Sequence, residues 1–154
     1  MIHILLFNAV LVIACGYALI VGGAPERLTA ATFLLGAAAT FAVPFQPRQS
    51  FYAVHGAILG IDLAILLVLV AIALRADRYW PLYVSSLHLL TIGVHGVKAY
   101  QPTLVPWMYA AASAKIAYPM LLLLLAGAIR HRDRRRRFGS DPDWSSPHLT
   151  GPVR

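Results

Sequence analysis

Five side chains in one otherwise apolar stretch, YVSSLHLLTIGVHGVKAY, fall on a single helical face: Ser85, His88, Thr91, His95 and Lys98. Their spacing of three or four residues is that of neighbours along a helix. Hydrocarbon makes each ionisable group costly, so such a row belongs beside water, a ligand or another polar helix rather than lipid. The imidazoles exchange protons near neutral pH, the hydroxyls form hydrogen bonds, and Lys98 supplies a charge. Two other apolar stretches carry groups that could meet this row. Asp62 follows His55 by seven residues in HGAILGID, and Lys115 precedes Tyr118 in SAKIAYPM.

The elements that must position these groups follow from composition. Of the 154 residues 59% are hydrophobic and 12% charged, against roughly a quarter charged in an ordinary soluble domain. Five apolar segments, at about 2–21, 28–43, 53–74, 81–97 and 104–129, approach the roughly 20 residues that span a bilayer. The breaks between them, GGAPER, PFQPRQS, RADRYWP and YQPTLVPW, have turn and interface chemistry. Tyr79, Trp80, Tyr100 and Trp107 stand at segment ends, where amphipathic rings favour the headgroup layer. The runs are continuously apolar rather than alternating, which favours helices over a β-barrel. The expectation is an all-α polytopic membrane protein: a bundle of five transmembrane helices over residues 1–130, then a basic, partly flexible tail over 131–154. Gly36 to Ala39 in the short second segment, the Gly56/Gly60 pair, and Gly93 and Gly96 beside His95 suit close helix packing.

Orientation follows from the Arg and Lys distribution. Placing the tail inside gathers Arg27, Arg75, Arg78, Arg130, Arg132, Arg134, Arg135, Arg136 and Arg137 on the cytoplasmic side, with Arg48 and Lys98 near the other face. The N-terminus is then outside and the C-terminus cytoplasmic. Val12 to Cys15 loosely match a lipoprotein cleavage box, but no basic residue precedes the apolar run, which continues past the cysteine. A single cysteine also excludes an intramolecular disulfide. Six of the 13 Lys and Arg residues behind the formal charge of +7 lie in the tail beside an apolar segment, which points to the bilayer surface rather than nucleic acid. There Trp144 and the Arg cluster form a candidate membrane-surface or partner-docking element.

With this topology, the helical rise of about 1.5 Å per residue assigns depths. His55 and His95 share an outer level; Asp62, His88 and Lys115 share a central one. The inner halves, Leu66 to Val70 and Leu121 to Leu125, are hydrocarbon. A pocket reached from outside and closed inward is expected, since a channel needs polar groups along its whole length.

Each level has a structural reading beside a functional one. Asp62 and Lys115 are expected as a buried pair that fixes helix register, or as a proton-accepting or ligand-binding pocket with His88, Tyr118, Ser85, Thr91 and Lys98. His55 and His95 are expected as interfacial histidines, or as axial ligands of a b-type haem or another tetrapyrrole. No HxxxH, HExxH, GxSxG or Walker-type pattern occurs, so neither a metal site nor a catalytic residue is expected. The leading functional expectation is a non-catalytic accessory or structural subunit of a larger membrane complex, or a homo-oligomer. The alternative is a cofactor- or ligand-binding bundle, with a small transporter behind it because no internal repeat is evident.

The motifs GGAPERL and LRADRYWPLYVSSLHLL resemble those of small inner-membrane proteins of proteobacteria. The resemblance covers much of the apolar region and implies a location in the bacterial inner (cytoplasmic) membrane. It brings no activity, cofactor or catalytic residue with it.

Overall fold

The computed structural model describes residues 2–43, 56–100, 106–141 and 144. Five helices account for almost all of them: α1 (Ile2–Val21), α2 (Ala24–Ala42), α3 (Gly56–Arg75), α4 (Trp80–Tyr100) and α5 (Pro106–Phe138). Among the described residues there is no strand, only an isolated antiparallel bridge between Ala76 and Trp144. The described residues are all-helical in architecture.

Local chemistry explains where the helices start and stop. Gly23 caps α2 with extended backbone, and Pro25 occupies its first turn, where a missing N–H costs nothing. For that reason α2 begins at Ala24, four residues before the apolar run that marked it in the sequence. The fifth helix runs well past the apolar limit at 129, because Arg and Ala are good helix formers and polarity does not end a helix. It stops at Gly139, whose φ of 75° is a left-handed C-terminal conformation natural to glycine. The Gly139 N–H closes the last turn on the Arg135 carbonyl at 3.0 Å.

Each helix packs on its neighbour in the chain, and α1 against α5 closes the ring, with α2 also touching α5. All five alternate in direction, so α1, α3 and α5 point one way. The end carrying the α5 C-terminus is termed the tail end, and the opposite one the far end. Ala14, Cys15, Ala18, Ala30, Leu69, Val84, Leu124 and Ala128 fill the ring toward the tail end.

Helix contacts are set by two glycines other than those of the GxxxG pair. A Cβ on Gly36 would run into the Ile65 side chain, and one on Gly127 would lie 2.9 Å from the Trp80 ring. Small residues there let α2 meet α3 and α4 meet α5 closely. Gly56, Gly60, Gly93 and Gly96, by contrast, have open space where a Cβ would stand. Sequence spacing alone does not say which side of a helix meets a partner.

Two described helices are long and apolar enough to cross a membrane, over Ile4–Val21 and Gly56–Arg75. Only 22% and 17% of those stretches are buried, whereas the core helix of a soluble protein would be mostly covered. The pattern suggests membrane association. In α2 the terminal Pro25, Glu26 and Arg27, and in α4 the polar stripe, dilute the apolar character on which such a span depends.

Candidate functional site

Side chains lean toward the N-terminus of their own helix, while backbone carbonyls point toward its C-terminus. On antiparallel α3 and α4 this brings Asp62 and His95 toward each other although they start at different depths. The Nε2 of His95 donates to Asp62 Oδ2 at 2.8 Å. His88, one face-repeat closer to the tail end, instead donates through Nε2 to the Asp62 backbone carbonyl at 3.0 Å. Its Nε2 stands 3.9 Å from Oδ1 of the same carboxylate, too far for a hydrogen bond. One aspartate therefore organises both histidines, and His95, expected at the outer level, meets Asp62 of the central one.

This corner forms part of the wall of a cleft of about 560 Å³ in the far half of the ring. Every helix contributes to its lining: Phe7 and Asn8 from α1, Phe33 and Thr40 from α2, Asp62 from α3, His88, Thr91 and His95 from α4, and Tyr118 from α5. Tyr118 stands edge-on to Phe7 at 5.6 Å between ring centres, a favourable aromatic arrangement. The volume falls in the range of small-molecule sites, and so does the character of an apolar wall with a few convergent polar groups.

The remaining expected site residues are placed elsewhere. Lys115 is exposed, away from Asp62, so that ion pair is not formed. Helix α5 turns its 115 position outward while Ala117, Tyr118 and Leu121 face the cleft. Ser85 is buried and donates to the Pro81 carbonyl of its own helix at 2.8 Å. Lys98 is 1% exposed and stands outside the cleft lining. His55 lies outside the described residues, so the expected haem pairing has one partner to consider, and the His95 Nε2 is turned to a carboxylate. Among the described residues no group of three or more His, Cys, Asp or Glu is arranged to hold a metal ion.

A second polar cluster closes the tail end, and the sequence had shown its members only as turn and tail residues. Arg78, between α3 and α4, reaches Glu26 Oε1 at 2.5 Å and Asp141 Oδ2 at 2.6 Å. Asp141 also receives His131 Nδ1 at 2.7 Å and Arg134 Nε at 2.9 Å. Glu26 is fully buried, and the side chains of Arg78, Asp141 and His131 are nearly so. Burial pushes the Asp141 carboxyl up, but the Arg134 hydrogen bond, the Arg78 charge and the His131 hydrogen bond together hold it below the usual carboxylate range. The tail is thereby folded back on the bundle, with Trp144 bridging to Ala76. Within the basic cluster, Arg132 reaches the Tyr17 hydroxyl at 3.3 Å, while Arg130, Arg135, Arg136 and Arg137 are exposed. An acid in the first turn of α2 facing an arginine in the next loop at the same end is the signal that could have found this cluster.

No family model, curated protein or solved structure matches the chain. What the site can do rests on its own geometry: hold a small, largely apolar molecule and address its polar end with a carboxylate and two imidazoles.

Proposed function

We propose that the protein is a five-span bundle of the bacterial inner membrane, N-terminus outside and tail inside, that holds a small amphipathic ligand in its cleft. The observation that carries this reading is the cleft itself, walled by all five helices and with Asp62, His88 and His95 gathered at one place in a mostly apolar lining. A purely structural polar contact needs no open volume beside it. Support for the five-span arrangement comes from the outward apolar surface on every helix, including Ile13, Leu35, Leu67, Leu90 and Leu122, which water disfavours and lipid covers. The accessory-subunit reading rests on that same surface, which suits lipid as well as a partner helix. The cleft is the more specific feature and puts ligand binding first.

Native mass spectrometry of protein released from mild detergent tests the reading. The wild type carries a drug-sized adduct at one per chain, and Ala117→Trp, which fills the cleft, loses it. A wild type that stays empty and gains no thermal stability from any apolar probe overturns the proposal.

A further inference from the structure

At the tail end a second cleft, of about 580 Å³, opens between the start of α2 and the end of α5. Its polar side chains are Arg27, His131, Arg135, Ser140 and Asp141. Asp141 is the single acid among them, and both its oxygens are engaged: Oδ1 by Arg134, Oδ2 by Arg78 and His131. Arg27 and Arg135 are exposed, and neither meets a carboxylate among the described residues. The start of α2 adds to these two charges. Gly23 caps it without a side-chain hydrogen bond, so first-turn N–H groups and the positive end of the helix dipole are left to whatever enters the cleft.

The group that points to a ligand is His131, which is 3% exposed. Its Nδ1 lies 2.7 Å from Asp141 Oδ2; a carboxylate held ionised by two arginines can only accept, so Nδ1 carries a proton. Nε2 makes no hydrogen bond among the described residues. The enclosed polar side-chain atoms without a partner there are Glu26 Oε2 and Trp80 Nε1. Since His131 Nε2 is not one of them, it reaches open space, and the space its residue borders is this cleft. A nearly buried imidazole is thus fixed through one nitrogen and presents the other to a cationic recess.

Such a nitrogen suits an anion that can share a proton with it. A phosphate monoester loses its second proton at about pH 6, and a free imidazole at about pH 6.5. One proton between Nε2 and a phosphate oxygen therefore makes the bond whichever partner carries it. Sulfate and phosphodiesters have no proton to give in this range, and only a charged ring serves them. The cleft also borders the apolar region, with Leu28 in its lining and α1 ending at Val21 beside it.

We propose that this cleft binds a phosphate monoester between Arg27, Arg135 and His131 at the N-terminus of α2, as a lipid headgroup or as a soluble phosphate. Calorimetry on the full chain in non-ionic detergent at about pH 6.5 tests this with four probes: inorganic phosphate, sulfate, and dioctanoyl phosphatidate and phosphatidylglycerol. Phosphate is expected to bind on the order of tenfold more tightly than sulfate, and phosphatidate than phosphatidylglycerol, for one charge-assisted hydrogen bond. Phosphatidate above inorganic phosphate assigns the site to lipid, and the reverse order to a soluble phosphate. Arg27→Gln and His131→Phe each weaken the favoured probe by on the order of tenfold, whereas Arg136→Gln, an exposed arginine outside the lining, leaves it unchanged. Arg27 is exposed, so its variant decides the matter should His131→Phe fail to fold. Equal binding of the monoesters and their proton-free counterparts overturns the monoester assignment. An Arg136→Gln loss as large as that of Arg27→Gln overturns the site, because diffuse attraction to the basic tail then explains the binding, and no binding of any probe overturns it outright.

Discussion

Asp62 Oδ2 and His95 Nε2 meet at 2.8 Å across α3 and α4, although His95 stands about two helical turns along α4 from His88, which bonds to the backbone of the same aspartate. The contact exists because side chains on antiparallel helices lean toward opposite ends and so toward each other. The second histidine, His88, bonds separately to the Asp62 backbone carbonyl, and the three residues together give the cleft its polar corner.

A double-mutant cycle measures this contact. Asp62→Ala and His95→Ala are expected to couple by roughly 1–3 kcal/mol in reversible unfolding from bicelles or mild detergent. Lys115→Ala, at an exposed site, is expected to stay within about 0.5 kcal/mol of wild type. A larger loss at Lys115 than at either member of the pair would reverse the assignment.

Glycine substitutions separate true helix contacts from apparent ones. Gly127→Leu forces side-chain atoms into the Trp80 ring and is expected to lose about 1–3 kcal/mol. Gly56→Ala and Gly60→Ala meet open space and are expected to be neutral, or to gain up to about 1 kcal/mol from reduced backbone freedom in the unfolded chain. Melting temperatures of the three variants suffice to rank them.

Arg78 holds the tail end together, so its removal leaves Glu26 charged and fully buried. Arg78→Met is expected to lose about 3–5 kcal/mol, and adding Glu26→Gln should restore much of that loss by removing the stranded charge. A double variant no more stable than Arg78→Met would show that the pair is not what links α2 to the α3–α4 connection.

Acid should loosen the same end through Asp141. Its folded-state proton affinity is lowered, so its contribution to stability is complete above the unfolded value of about 3.9 and is lost as pH falls through the folded value. Thermal unfolding followed from about pH 7 into strong acid should show a steeper acid loss for wild type than for Asp141→Asn, the gap closing as pH falls below the folded value. Parallel curves would remove Asp141 from the acid response.

Orientation is open to a fusion test. Green fluorescent protein joined after Arg154 should fluoresce, and alkaline phosphatase joined near Arg48 should be active, if the arginine-rich side is cytoplasmic. The opposite pair of results would invert the proposed topology.

The sequence by itself determined that the chain is helical, where its apolar runs lie, and which residues are too polar for lipid. Those properties follow from composition and from spacing within a single helix. His88, Thr91 and His95 could be placed on one face because helical periodicity is local. What only the tertiary structure decided is which faces meet. Lys115 turned outward and left Asp62 to the histidines of α4, since the rotation of α5 is fixed by contacts such as Gly127 against Trp80 rather than by its own pattern. Glu26 and Asp141, 115 residues apart in the chain, became neighbours of one guanidinium only when the ring closed and the tail folded back. Pairings between distant segments depend on packing, and no periodicity within one helix carries that information.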